Sequence, residues 1–262
     1  FPYLCCMISK WYGKDLRLGV LGGGQLGRML IQAANDLNIH IHCLDPDQNA
    51  PCSEIAHSFS CGSLTDYMTV LNFGSDKHLI TVEIENVNVD ALVELEKKGV
   101  KVFPQSNVLK LIQDKGLQKE FYKKNNIPTA AFELISSKAE LLLKTDFPFV
   151  HKLRKGGYDG KGVKIISNSS EAEQSFDVPS VIEEKIDFQK ELSVLVARNE
   201  KGEIKTFPLV ECEFNPEANL VEFLFSPADV SPEIELKAKE IASKLIEKLN
   251  MVGLLAVELF LT

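Results

Sequence analysis

Leu16 to Leu21 reads as a short buried strand that runs straight into Gly22-Gly23-Gly24-Gln25-Leu26-Gly27. A helix pattern follows at once, with Leu26, Met29, Leu30, Ala33 and Leu37 expected on its apolar face. A strand, a glycine turn and a helix in that order leave the chain few ways to fold. The segments that follow repeat the pattern. Ile39 to Leu44 reads as a second strand, closed by the turn residues Asp45-Pro46-Asp47. Leu79 to Glu83 is another strand, Val89 to Lys98 another helix, and Val100 to Phe103 ends the series at Pro104. Such alternation predicts a parallel sheet with helices on both faces.

After about Pro128 strand-like runs dominate. They are Phe149 to Leu153, Val163 to Ile166, Ser180 to Ile186, Leu192 to Arg198, Lys205 to Val210 and Leu220 to Phe225. Short polar turns such as Asn199-Glu200-Lys201-Gly202 separate several of them, which predicts antiparallel hairpins. Ser231-Pro232-Glu233 then opens a helix, with Ser as N-cap and Pro at the first helical position. Ile234, Ala238, Ile241, Leu245 and Leu249 are expected on its apolar face. Gly253 and a strand from Leu254 to Leu261 close the sequence. A core strand is expected to pair further, so the chain reads as truncated after Thr262, with an apolar edge open to aggregation. The expected class is α/β followed by α+β.

The bulk numbers exclude some functions. The formal charge is 29 − 37 = −8, so a broad electrostatic footprint for nucleic acid is not expected. No apolar run approaches the ~18–20 residues of a membrane span. Phe1 to Ile8 is apolar but lacks the basic start of a signal peptide, and Met7 is a candidate initiator. The six cysteines form no C-x-x-C pair, which suits reduced thiols in the cytosol. His40 and His42, two apart in a strand, would share a face but lack the other ligands of a metal site.

Four segments can carry chemistry. Gly22 to Gly27 fits G-x-G-x-x-G between a strand and a helix, with Asp45 at the end of the next strand. Glycines let a backbone approach a phosphate, and a helix N-terminus supplies N–H groups and the positive end of a dipole. NAD, another phosphate ligand and a structural turn all remain open on that pattern. Lys152 to Gly162 (KLRKGGYDGKG) lies between two strands instead. Its four glycines and the cations Lys152, Arg154, Lys155 and Lys161 suit a flap that covers polyphosphate during reaction and then releases it. Glu183-Glu184-Lys185-Ile186, with Glu191 beyond it, reads either as a solvated face or as a strand edge that holds a purine nucleoside. Glu258 sits in the apolar strand Ala256-Val257-Glu258-Leu259-Phe260, where a carboxylate is either a metal ligand or points to solvent.

Taken in order, these pieces resemble the N5-carboxyaminoimidazole ribonucleotide synthase family of ATP-grasp enzymes. The resemblance covers about residues 14–262. It rests on the Leu21 to Met29 loop, Thr81-Val82-Glu83-Ile84-Glu85-Asn86-Val87, Gln113-Asp114-Lys115 and Ile127-Pro128-Thr129-Ala130. Gly156-Gly157-Tyr158-Asp159-Gly160-Lys161-Gly162, Phe207-Pro208-Leu209-Val210-Glu211 and Gly253-Leu254-Leu255-Ala256-Val257-Glu258 complete it. It implies a Rossmann-like pre-ATP-grasp domain over 14–105 and an ATP-grasp domain, incomplete at its end, over 106–262. The implied reaction is carboxylation of 5-aminoimidazole ribonucleotide with ATP and bicarbonate, through carboxyphosphate, in purine biosynthesis.

The resemblance also implies roles. Lys115 and Lys152 would hold ATP phosphates. Gly157, Tyr158, Asp159, Gly160, Lys161, Gly162 and Val163 would form the flap over them. Glu183, Glu184, Lys185 and Ile186 would line the adenine, and Glu191 would take the ribose. Glu258 would bind Mg2+, or Mn2+ in its place. Gly24, Gln25 and Leu26 would cradle the ribonucleotide phosphate with Glu83 near its ribose or ring, which displaces NAD. Tyr158 and Asp159 would face bicarbonate and the amine, Asp159 as the proton-transfer group. A cytoplasmic homodimer is implied for the full-length enzyme, with no nucleic acid and no membrane as partner. The family continues with an Asn-Glu pair and an Arg-Pro-His-Asn-Ser-Gly-His stretch, neither of which these residues contain, so the chain alone is expected to be inactive. The alternatives are another ATP-grasp ligase, such as a formate-dependent glycinamide ribonucleotide transformylase, and a non-catalytic nucleotide-binding module. Tyr158-Asp159 in the flap disfavours the transformylase.

Overall fold

The computed structural model describes residues 15–157, 162–215 and 220–262. The chain divides into two units, the first ending at Lys110 and the second beginning at Leu111.

The first unit is a parallel sheet of β1 (Arg17–Leu21), β2 (His40–Asp45), β3 (Ser58–Cys61), β4 (Leu79–Val82) and β5 (Lys101–Val102). The strand order is β3-β2-β1-β4-β5, and every pairing is parallel. Successive side chains alternate between its faces. Leu21, Leu44, Ile80 and Val102 pack in one core with α2 (Tyr67–Gly74) and α3 (Val89–Lys97). Val20, Ile41 and Cys43 pack in a second core with Ile31 and Ala34 of α1 (Gln25–Asp36). The parallel sheet covered on both faces is thus present. β3 and α2 were not legible as elements.

The face of α1 differs from expectation. Gly27, Ile31 and Ala34 are buried, whereas Leu26, Met29, Leu30, Ala33 and Leu37 are exposed. Close approach decides it. A Cβ on Gly27 would meet Cys52 Sγ at 3.0 Å and the Gly22 carbonyl oxygen at 3.3 Å, so the contact side has room for small residues at its start.

α4 (Ser106–Ile112) spans the division between the units, and α5 (Lys115–Lys124) begins the second. That unit holds two sheets. One is antiparallel, in the order β6-β9-β7-β8, from β6 (Phe132–Ile135), β7 (Phe149–Leu153), β8 (Val163–Ile166) and β9 (Ser180–Glu184). α6 (Lys138–Leu141) and α7 (Ser169–Glu173) contribute Leu141 and Ala172 to its core. The other sheet has β10 (Lys190–Arg198) at its centre, with β11 (Ile204–Thr206), β12 (Val210–Asn215), β13 (Leu220–Phe225) and β14 (Gly253–Leu261). α8 (Pro232–Lys248) packs against β10, and its buried residues are Ala238, Ala242, Leu245 and Ile246. Ser231 caps α8 as expected, accepting from the Ile234 N–H at 3.4 Å.

Two expected strands are redrawn. Lys205 to Val210 is not one strand: β11 stops at Thr206 and β12 starts at Val210. Pro208 falls in the gap, and proline has no N–H to give a ladder. β9 stops at Glu184, so Lys185 and Ile186 lie beyond the ladder. β14 is antiparallel to β10 along its whole length, from Lys190↔Leu261 to Arg198↔Gly253. Among the described residues no helix is long and apolar enough to cross a membrane.

Candidate active site

In the first unit the glycine loop is built against one carboxylate. Gly22 has φ +104°, a conformation that favours glycine. A Cβ on Gly22 would meet Glu83 Oε2 at 2.7 Å, and one on Gly24 would meet Glu83 Oε1 at 2.6 Å. Both oxygens of Glu83 therefore lie against the loop, just past β4. Gly24 is the N-cap of α1 and offers no side chain, so the first N–H groups of that helix have no side-chain cap. Gln25 and Leu26, at the mouth of the loop, are exposed. Gly24, Gln25, Leu26 and Glu83 are thus brought together.

Asp45 has another task from the one its spacing suggests for NAD. Its Oδ2 accepts from the Gly23 N–H at 2.7 Å, and its Oδ1 accepts from the Asp47 N–H at 2.8 Å. The carboxylate that would reach a dinucleotide ribose shapes the loop instead. Beneath it lie two free buried thiols, Cys43 and Cys52, which donate to the Gly22 and Gly24 carbonyls at 3.3 and 3.6 Å.

In the second unit, the buried Glu183 of β9 organises the first sheet's polar groups. Its Oε2 accepts from Lys152 Nζ of β7 at 3.1 Å and lies 2.9 Å from Lys119 Nζ of α5. Lys119 also donates to Thr129 Oγ1 at 2.6 Å. Burial pushes the Lys119 ammonium down, against the attraction of Glu183. No motif in the sequence marks Lys119. In the sequence it is one lysine among several on an amphipathic helix, and only the pairing of α5 with β9 distinguishes it.

Lys115 is fixed by its neighbours. Asp114 caps α5 by accepting from the Gly116 and Leu117 N–H groups at 2.9 and 3.1 Å. Arg154 Nε donates to the same Asp114 oxygen at 2.5 Å, and the Lys115 N–H donates to the Arg154 carbonyl at 2.9 Å. Burial raises the Asp114 carboxyl, but the hydrogen bond from Arg154, the Leu117 N–H, and the charges of Arg154 and Lys155 together hold it below its usual range. Lys115 and the root of the glycine flap are thereby tied together.

The flap leaves β7 and returns in β8, with Lys152 paired to Val163. Gly156 and Gly162 have φ +75° and +86°, and the Leu153 N–H donates to the Gly162 carbonyl at 2.7 Å. Gly157 and Val163 flank the tip, while Tyr158, Asp159, Gly160 and Lys161 lie outside the described residues.

The second sheet contributes carboxylates. Glu191 is in register with Cys212 and Phe260, and Ser193 with Val210 and Glu258, so Glu191 and Glu258 share a face. The opposite face carries the buried Leu192, Val194, Val196 and Val257. Burial raises the Glu191 carboxyl, the Glu258 charge raises it further, and Lys152 opposes both. Lys152 thus acts electrostatically on both sheets. Phe188 and Phe260 stack at 4.4 Å, and Phe260 lies on the carboxylate face. Glu184 and Lys185 are exposed and Ile186 is half-buried, with Lys185 Nζ donating to Asp187 Oδ1 at 2.8 Å.

Glu191 and Glu258 offer oxygen donors, the type that Mg2+ prefers. Among the described residues no cluster of three or more His, Cys, Asp or Glu side chains could hold a metal ion. In phosphoryl-transfer sites Mg2+ is held by about one or two carboxylates together with phosphate oxygens and water.

Comparison with known proteins agrees with this division. Residues 16–113 match the ribonucleotide synthetase preATP-grasp domain, and residues 120–262 match the ATP-grasp domain. The chain is 35% identical to phosphoribosylaminoimidazole carboxylase of Ogataea methanolica, over 93% of this chain and 47% of that protein. It is 34% identical to N5-carboxyaminoimidazole ribonucleotide synthase of Bacillus subtilis, over 94% of this chain and 66% of that one. The crystal structure of N5-carboxyaminoimidazole synthase from Aspergillus clavatus, in complex with ADP and 5-aminoimidazole ribonucleotide, superposes with a TM-score of 0.85. Identity there is 30%, with 95% of this chain and 66% of that chain covered. The chain thus spans about half the length of the Ogataea relative and about two thirds of the other two. With both domains matched in this order, the chain belongs to the ATP-grasp family and is a homologue of the N5-carboxyaminoimidazole ribonucleotide synthases.

Proposed function

We propose that this chain carries the ATP-binding and ribonucleotide-binding parts of an enzyme that carboxylates 5-aminoimidazole ribonucleotide, using ATP and bicarbonate. The observation that carries the reading is the set Lys152, Glu183, Glu191 and Glu258. A lysine shared between two sheets faces carboxylates that its charge influences. Polyphosphate needs such a cation, and its metal needs the carboxylates. The complex of the Aspergillus relative with ADP and 5-aminoimidazole ribonucleotide supports both ligands.

In this reading Lys152 and Lys115 hold the phosphates, and the flap from Gly157 to Val163 closes over them. Glu183 to Ile186 line the adenine, and Glu191 takes the ribose. Glu258 would hold Mg2+ together with nucleotide phosphates, and the ion would supply positive charge for phosphoryl transfer. The phosphoryl acceptor is bicarbonate, a poor electrophile that gains a leaving group as carboxyphosphate. The exocyclic amine of the ribonucleotide then attacks the carboxyl carbon, the bond to phosphate breaks with loss of inorganic phosphate, and the amine loses a proton, for which we assign Asp159 together with Tyr158. The N-terminal end of α1 at Gly24-Gln25-Leu26 binds the ribonucleotide phosphate through backbone N–H groups. Glu83 reaches its ribose or ring. A cytoplasmic homodimer remains part of the proposal for the whole enzyme.

Calorimetry with each ligand tests the two sites separately. Lys152→Ala is expected to weaken ATP by about 2 kcal/mol, within the range for a hydrogen bond to a charged group. Glu183 keeps Lys119 as a partner, so the variant should fold. Unchanged ATP affinity would remove Lys152 from the site. Gly24→Ala should weaken 5-aminoimidazole ribonucleotide about tenfold while leaving ATP unaffected, the equivalent of one such contact. The new Cβ would displace the Glu83 carboxylate, a flexible group, rather than backbone. If the ribonucleotide binds that variant as it binds the unaltered chain, the loop is not its site.

A further inference from the structure

Glu183 presents an unequal count of charges. One buried carboxylate, its side chain 7% exposed, is shared by two lysines on a single oxygen. Lys119 is the more enclosed of the two, at 13% against 25% for Lys152, and it has a second acceptor in Thr129. Lys152 is the outer cation, and its charge is also felt by Glu191 on the other sheet. A carboxylate buried to this degree is costly to leave unpaired. If Lys152 were its sole partner, moving Lys152 to a phosphate would strand that charge.

We propose that Lys119 is a positioning residue for nucleotide binding. It neutralises Glu183 permanently and so frees Lys152 to leave that carboxylate for a nucleotide phosphate. The inference rests on the reading of Lys152 as a phosphate ligand. Lys119 itself stays on Glu183 and Thr129, tied to α5, and touches no nucleotide. Removing it retains a balanced Lys152–Glu183 pair, so the fold survives, but Lys152 is held where it is of no use to the phosphates. Burial adds weight, because the competing pair is screened by less water than a surface pair would be.

The test is a double-mutant cycle on ATP binding by calorimetry, with thermal melts to confirm folding. Lys119→Met is expected to raise the ATP Kd about tenfold in the otherwise unaltered chain, the low end for a charged hydrogen bond. In a Lys152→Ala background the same change leaves Glu183 without a cation, so it should lower the melting temperature, but ATP affinity should not fall further because no lysine remains to be released. Lys119→Arg should bind ATP as the unaltered chain does. Lys119→Gln keeps donors for Glu183 and Thr129 without the charge, so it should weaken ATP and serves if the Met variant does not fold. Equal loss in both backgrounds would overturn the proposal, since Lys119 would then act without Lys152. So would full affinity in both Lys119→Met and Lys119→Gln. A Lys152→Ala variant with unchanged ATP affinity would instead overturn the assignment of Lys152 beneath it.

Discussion

Asp114→Ala is expected to destabilise the second unit by about 3 kcal/mol, adding about 1 for a lost N-cap to about 2 for a lost hydrogen bond to a charged group. The figure follows from how much one oxygen does. Asp114 Oδ1 accepts from two N–H groups that open α5 and from Arg154 Nε. The carboxylate side chain is 5% exposed, while Arg154 is 30% exposed, so water offsets part of the loss at the guanidinium. Arg154 packs against Gly116, where an added Cβ would lie 2.6 Å from its Nε. Asp114→Asn keeps an acceptor for the helix and loses the charge, so it should cost roughly half as much by the same magnitudes. The folded carboxyl lies below its ordinary value of 3.8. Its contribution is therefore complete above that value and is lost as pH falls through the lower folded one. Urea unfolding at neutral pH, followed by exchange of α5 amides, measures the effect. Equal stability of the alanine variant and the parent would mean that solvent replaces Arg154 at the helix end. A further consequence concerns ATP: the Lys115 N–H donates to the Arg154 carbonyl, so the variant should also loosen the root of the flap.

What was legible in the sequence and what was not divides along a physical line. The glycine loop declared itself because its geometry is local: Gly22 needs positive φ, and a strand and a helix flank it. The pairing of β7 with β8 was legible for the same reason, with Gly156 and Gly162 at positive φ. Asp45 was harder to read, since its spacing fits a dinucleotide ribose equally well until its bond to the Gly23 N–H is seen. The face of α1 was read wrongly because the largest apolar residues form one stripe and the close contact requires another. Register is the other hidden quantity. Nothing in Glu191 or Glu258 states that they share a sheet face, because the antiparallel pairing of β10 with β14 spans more than sixty residues of sequence. Lys119 fails to announce itself for the same cause: its partner lies 64 residues away, in another element.

The acid stability of the second unit should depend on His151, by about 3 kcal/mol from the size of its shift. The ring is fully buried, with Nδ1 2.7 Å from Ser175 Oγ and Nε2 2.7 Å from Ser180 Oγ. Ser180 donates its own hydroxyl proton to the Val178 carbonyl at 2.8 Å, so it accepts from the ring and the proton sits on Nε2. Nδ1 then accepts from Ser175. A neutral imidazole satisfies both hydroxyls, and burial, aided by the charge of Lys164, lowers the pKa from 6.5 to about 4. Between those values the unfolded chain holds a proton that the folded chain does not, so stability rises with pH across that window. It is fully present above 6.5 and drains away as pH falls toward 4. His151→Gln retains a donor and an acceptor but cannot titrate. It should cost about 1–2 kcal/mol at neutral pH through imperfect hydrogen bonding, and near pH 4, where the parent has lost about 3 kcal/mol, the variant should be the more stable by about 1–2. Carboxylates titrate in the same range in both proteins, so the difference between their profiles isolates the imidazole. Urea unfolding from pH 4 to 7, with hydrogen exchange read at β7 and β9, gives that difference. Parallel profiles for the two proteins would show that the buried ring takes up its proton as readily when folded as when unfolded.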